Sequence, residues 1–307
     1  MNKDGIFFKQ AELLLRILPI INIDKDLALK GGTALNFFVR DFPRLSIDID
    51  LTYIPIKDRE TSLKDVTAKL KDISADIIKT FPKARVVERN MNKAENLSGL
   101  QILNESVSIK IETNPVIRGS VYDPETFTLC SKAEEMFELS VKAQCLSIAD
   151  LYGGKICAAL DRQHPRDLFD VKLLLENEGF TKDIRKAFIV YLISHSRPII
   201  ELLAPNLKTD IKKIYEKEFI GMTEKKVGLK ELTDTFELLV NTINDSITDD
   251  EKKFLLSFKS KNPNWILLGL EEIENMPSVK WKLMNLERMD EKRHQEAYKK
   301  LKTHLKY

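Results

Sequence analysis

Two carboxylates one residue apart, in the run Ser46-Ile47-Asp48-Ile49-Asp50-Leu51, constrain this chain more than any other feature. Read as a strand, the run sends Ile47, Ile49 and Leu51 to one face and Asp48 and Asp50 to the other, because side chains alternate along a strand. Two carboxylates sharing one face of a buried strand repel each other, an arrangement that is costly unless a cation lies between them. Oxygen ligands of this kind suit Mg²⁺, which takes one or two carboxylates together with substrate phosphates. Lys30-Gly31-Gly32-Thr33 lies just upstream. The two glycines let the backbone turn tightly and approach a ligand closely. The helix read from Thr33 to Val39 would offer its first amides to a phosphate.

The rest of the chain reads as an ordinary globular protein. Its 307 residues suffice for one large or two modest domains, 43% are hydrophobic and 31% charged, and the net charge is +2. The overall charge gives no nucleic-acid signal, although a local patch remains open. Met1-Asn2-Lys3-Asp4-Gly5 opens an amphipathic pattern unlike a signal peptide, and no apolar run reaches the roughly 18 residues of a membrane span, so the expected location is the cytoplasm. Cys130, Cys145 and Cys157 lack a C-x-x-C spacing and read as reduced core thiols, and the four histidines form no zinc pattern.

In chain order, apolar spacing predicts a helix over 6–20, closed by Pro19. A strand at 27–30 enters the Gly-Gly turn. The Asp-x-Asp strand covers 46–53, and an amphipathic helix covers 58–80 with Leu63, Val66, Leu70, Ile73, Ile77 and Ile78 on its apolar side. Three strands follow at 84–88, 97–103 and 107–112, the last two joined by an Asn104-Glu105 turn. In the third strand Glu112 shares a polar face with Ser108 and Lys110. It reads either as an exposed strand residue or as the candidate third carboxylate, since a two-metal phosphoryl-transfer site draws one from a neighbouring strand. Residues 137–141 read as a further strand, and beyond them the chain is helical, interrupted at Pro198, Pro205, Gly221, Pro263 and Pro277. The last segment, Trp281–Tyr307, carries eight basic and four acidic residues, a net +4 that suits either a nucleic-acid contact or a solvated helix face. Within it Arg288 and His294 faintly suggest the Arg…His pairing of some helical ribonucleases. The pattern has no other support, and His294 is read as a surface residue.

A second constellation lies at 155–170. Lys155 and Arg162 are seven residues apart, two helical turns, and so share a face. Arg166-Asp167-Leu168-Phe169-Asp170 follows, with Asp167 and Asp170 at i, i+3 on the next helix. Bases so spaced can hold a triphosphate and neutralise charge on leaving pyrophosphate. The acids can orient those bases or bind a third group such as a ribose. Spacing alone favours the other reading, a network of interhelical salt bridges.

The ordered set Gly31-Gly32-Thr33, Asp48-x-Asp50, Lys155-x₆-Arg162 and Arg166-Asp167-Leu168-Phe169-Asp170 resembles the AbiEii/AbiGii-type nucleotidyltransferase toxins, within the polymerase-beta-like superfamily. Thr33 stands where the wider superfamily has Ser and keeps the hydroxyl. The resemblance implies an α+β chain: a nucleotidyltransferase domain with a mixed sheet over 1–145, then a mostly α-helical domain over 146–307 that contributes Lys, Arg and Asp to the site. It implies Mg²⁺-dependent transfer from an NTP to an RNA acceptor, the 3′ end of tRNA in several relatives, by a toxin neutralised by a cognate antitoxin in phage defence. Asp48, Asp50 and Glu112 would hold metal. Gly32, Thr33, Ser46, Lys155, Arg162 and Asp170 would contact the nucleotide, and Lys155 and Asp167 would also serve catalysis. A protein or small-molecule acceptor, and a non-catalytic nucleotide-binding module, are the alternatives.

Overall fold

The computed structural model describes residues 5–91 and 96–307; Met1–Asp4, part of the N-terminal pattern above, lie outside the described residues. The chain divides into two compact units, Met1–Ser147 with Glu218–Lys226, and Ile148–Lys217 with Val227–Tyr307.

The first unit is built on a seven-stranded mixed sheet in the order β3-β4-β5-β2-β1-β7-β6. Its strands are β1 (Leu27–Lys30), β2 (Asp48–Tyr53), β3 (Arg85–Asn90), β4 (Leu97–Asn104), β5 (Val107–Thr113), β6 (Glu125–Thr128) and β7 (Lys142–Cys145). β2 sits centrally, antiparallel to β1 and parallel to β5, while β4–β5 is the expected hairpin with Glu105 in left-handed conformation. Ile49 and Leu51 of β2, with Ile109 and Ile111 of β5, are almost wholly buried, so the opposite face keeps Asp48, Asp50, Lys110 and Glu112. Helix α1 (Ile6–Ile21) lies against β5 and β7, and α3 (Arg59–Thr80) against β3 and β4.

Local chemistry explains where these elements depart from the sequence reading. Pro19 lies inside α1, which runs on to Ile21. So close to the C-terminus proline forfeits one intrahelical bond, and the Asn22 amide still caps Leu18. Ile78 faces solvent, at the edge of the apolar stripe. Residues 137–141 are not a strand. Helix α4 (Ser131–Phe137) ends there on Glu138, in left-handed conformation, because Phe137 is drawn into a cluster of rings with Phe8, Phe37 and Phe42. The strand, β7, follows five residues after Phe137. Cys145 and Cys157 are buried and Cys130 is half-buried, all three as free thiols. Burial pushes the Cys145 thiol up to about 12, too high for a nucleophile.

The second unit is helical. Helices α5 (Ile148–Asp161) and α7 (Lys182–Ser194) make its tightest pair, since a Cβ at Gly153 would lie 2.8 Å from the Phe188 nitrogen. Helix α6 (Pro165–Glu176) packs on α5 and on α10 (Leu229–Ser246). It starts abruptly because Pro165 occupies its first turn and the His164 ring accepts the Arg166 amide. The remaining helices are α8 (Ile199–Leu203), α9 (Ile211–Glu218), α11 (Asp249–Lys259), α12 (Pro277–Glu287) and α13 (Glu291–His304). The expected breaks all fall between helices or at their first residues. His294 is buried, not on the surface: its Nε2 is 2.7 Å from the Lys259 carbonyl, on the inner side of α13. Lys282 of the basic segment is also buried. Its ammonium donates to the carbonyls of His195, Ser196 and Arg197 just beyond the end of α7.

The excursion 218–226 returns the chain to the first unit. Leu45 N–H donates to Met222, Glu224 N–H donates to Pro43, Arg44 bridges Thr223, and Lys132 pairs with Glu224.

Candidate active site

The Gly-Gly turn is a place of close approach in both directions. Gly31 has φ +71°, and a Cβ there would lie 2.4 Å from Asp50 Oδ2. A Cβ on Gly32 would lie 2.6 Å from Arg44 Nη2 and 3.0 Å from Ser46 Oγ. Glycine is required at position 31 by backbone conformation and by space, and at position 32 by space. Helix α2 (Gly31–Ala34) begins at the turn, two residues earlier than expected, and winds into a π-helical segment at Leu35–Val39. Its Thr33 hydroxyl points inward, donating to the Asp48 carbonyl at 2.6 Å and sharing a 3.0 Å hydrogen bond with Ser46. Thr33 thus ties the glycine turn to the start of β2, and Ser46 lies in the loop just before that strand.

Arg44 carries no sequence pattern that marks it, yet it is 2% exposed, with Nη1 on the Leu45 carbonyl and Nη2 against Gly32. Burying a guanidinium is costly unless it is satisfied, so its presence under the turn is a built feature.

Register brings the carboxylates together. Asp50 is paired with Glu112 across the parallel β2–β5 ladder, and with Lys30 across β1–β2. Partners in register share a face, so Glu112 stands beside Asp50. Glu112 is held by an ion pair with Arg89 of β3. Among the described residues no three His, Cys, Asp or Glu side chains converge as a ready metal cluster. The donor chemistry of Asp48 and Asp50 nevertheless fits Mg²⁺. Both are hard oxygen donors, half-buried, on one strand face, and Asp50 packs over Gly31.

The second constellation forms within the helical unit. The Lys155 ammonium lies 2.9 Å from both Asp167 Oδ1 and Asp170 Oδ2, with side chains 5%, 1% and 2% exposed. Arg162 grips Asp167 with two hydrogen bonds, Nε to Oδ2 at 2.5 Å and Nη2 to Oδ1 at 3.0 Å. Burial raises the Asp167 pKa, but the Lys155 and Arg162 charges outweigh it and hold the carboxyl well below its usual range. The interhelical salt-bridge network is therefore present, and Arg162 stays 61% exposed while taking part in it. Deeper in the unit, Tyr191 donates to buried Asp150 at 3.0 Å; burial and that carboxylate raise the phenol's pKa well above its ordinary value.

The class of this chain, a nucleotidyltransferase, is shown by a family match that spans most of its length. Over 91% of its length the chain is similar to MenT4, a nucleotidyltransferase toxin from Mycobacterium tuberculosis H37Rv, covering 93% of that chain with a TM-score of 0.59 and 12% identity. At that identity the likeness concerns the fold. No curated protein sequence matches the chain. Residues 12–285 match the AbiEii family, described as nucleotidyl transferase AbiEii toxin of type IV toxin–antitoxin systems, and the chain belongs to that family.

Proposed function

We propose that this enzyme transfers a nucleotide from an NTP to an RNA acceptor, the 3′ end of tRNA, using Mg²⁺, and that a cognate antitoxin restrains it in phage defence. The observation that supports this best is the seat of the carboxylates: Asp50 packed over Gly31, Asp48 on the same face, Glu112 in register beside them. A divalent ion bound there supplies charge neutralisation at the phosphates and lowers the pKa of the attacking hydroxyl. Asp48 and Asp50 are its ligands, with Glu112 as third ligand or as acceptor of the attacking hydroxyl's proton. Gly32, Thr33 and Ser46 shape the turn that receives the phosphates, with Thr33 and Ser46 fixing it from within. Arg162 contacts the triphosphate. Asp167 holds the Arg162 guanidinium in a two-point grip, and Lys155 acts through Asp167 and Asp170. The N-terminal part to about residue 145 is the nucleotidyltransferase domain, and the helical remainder supplies these bases.

The test incubates the purified protein with total RNA, Mg²⁺ and each labelled NTP in turn, beside an Asp48→Ala/Asp50→Ala control. Label on tRNA-sized RNA, absent in a folded control, is the expected result. Label on protein or small molecules instead would move the acceptor to those classes. Equal labelling by wild type and control would overturn the metal assignment.

A further inference from the structure

Five strands place one row of residues side by side. Arg89 of β3 pairs with Gly99 of β4, Gly99 with Glu112 of β5, Glu112 with Asp50 of β2, and Asp50 with Lys30 of β1. Register partners share a face, so the row reads cation, gap, carboxylate, carboxylate, cation across one side of the sheet. The gap is what lets its ends communicate. Gly99 has no side chain, a Cβ there would lie 2.2 Å from the Ile111 carbonyl, and Arg89 reaches over it to Glu112. The β3–β4 ladder slips between Arg89 and Asn90, a bulge of the kind that re-aims a side chain.

Like charges directly opposite on neighbouring strands destabilise a sheet. Asp50 and Glu112 are such a pair, and Arg89 supplies Glu112 with the opposite charge. We infer that Arg89 is a positioning residue that holds Glu112 in the place of a divalent cation, so that ion and guanidinium compete for this carboxylate. The inference rests on the metal reading above.

The exposures decide how strong such a hold can be. The Arg89 and Glu112 side chains are 41% and 43% exposed. Exposed pairs are weak, so this one aligns Glu112 yet gives way to an ion. It also accounts for the absence, among the described residues, of a converged third ligand.

Mn²⁺ binding to the full chain, followed by electron paramagnetic resonance of the free ion, tests this without a turnover assay. Arg89→Ala is expected to bind Mn²⁺ about two- to fivefold more tightly, the range an exposed ion pair supplies. Arg89→Lys, which keeps the charge, should stay near wild type. The gain should vanish when Glu112→Gln is added. Arg89→Gln serves should Arg89→Ala melt early by circular dichroism. Unchanged or weaker Mn²⁺ affinity in a folded Arg89 variant overturns the inference, as does an equal gain in the Glu112→Gln background. Wild-type protein that binds no Mn²⁺, or an Asp48→Ala/Asp50→Ala variant that binds it undiminished, overturns the metal reading itself and the inference with it.

Discussion

Replacing Asp167 by Ala removes the centre of the buried ion network and leaves the Lys155 ammonium, 5% exposed, facing Asp170. Removing one partner of a buried pair costs about 3–5 kcal/mol, because the charge left behind stays desolvated. Two features pull the expectation to the lower end. Arg162 is largely exposed and can hydrate once released, and Asp170 still faces Lys155. About 3 kcal/mol is therefore expected. For a unit of this size each kcal/mol moves the midpoint by about 2–4 °C, which gives a fall of roughly 6–12 °C in the melt of the helical unit. Circular dichroism melts and urea titrations read it directly. The pH dependence has a fixed sign. The folded-state pKa of Asp167 is depressed, so its contribution is complete above the unfolded value of about 3.9 and drains away as pH falls toward the folded one. The gap between wild type and Asp167→Ala should stay level from pH 5 to 8 and narrow below about 4. Lys155→Met with Asp167→Leu and Asp170→Asn should recover part of the loss, since neither the lysine nor the Asp170 carboxylate is then left as a buried charge. A gap under about 1 kcal/mol, or one that widens on acidification, would refute the view that these charges depend on one another.

Two smaller expectations concern single positions. Gly31→Ala places a Cβ 2.4 Å from Asp50 Oδ2 at φ +71°; it should cost about 1–2 kcal/mol from the backbone and nearly all nucleotide transfer, and a folded variant with wild-type transfer would show that the Asp50 seat is immaterial. Lys282 is pulled down to about 8 by burial first and by neighbouring Lys259 second, so between about pH 8 and 10.5 the unfolded chain alone carries its proton. Wild type should therefore gain stability relative to Lys282→Met as pH rises through that window, and parallel curves in urea titrations would contradict this.

What the sequence revealed and what it concealed divide along physical lines. The shared strand face of Asp48 and Asp50 was legible because a two-residue period is a local property, and the salt-bridge network around Lys155 and Arg162 because a spacing of two helical turns is local too. Thr33 was legible as a hydroxyl beside the glycines but not in its direction, since only the fold shows it turned onto the Asp48 carbonyl. Arg89 was hidden. Its tie to Glu112 depends on the register of three strands and on a missing side chain at Gly99, neither of which any local window contains. Residues 137–141 misled because the pull of three distant rings on Phe137 outweighs local propensity. His294 and Lys282 misled for the converse reason: a highly charged helix still turns one side inward, and its polar groups there find backbone carbonyls.

The return of residues 218–226 to the first unit sets a timetable on the ribosome. The Pro43–Leu45 segment, which carries the arginine beneath the glycine turn, receives backbone partners from Met222, Thr223 and Glu224. At synthesis rates of about 5–20 residues per second, those partners emerge roughly ten to forty seconds after the segment they complete. A message cut or stalled anywhere before them yields a chain whose glycine turn lacks its brace. For a protein whose family name is toxin, the host cell gains an interval in which the product is already being made and its turn is not yet finished.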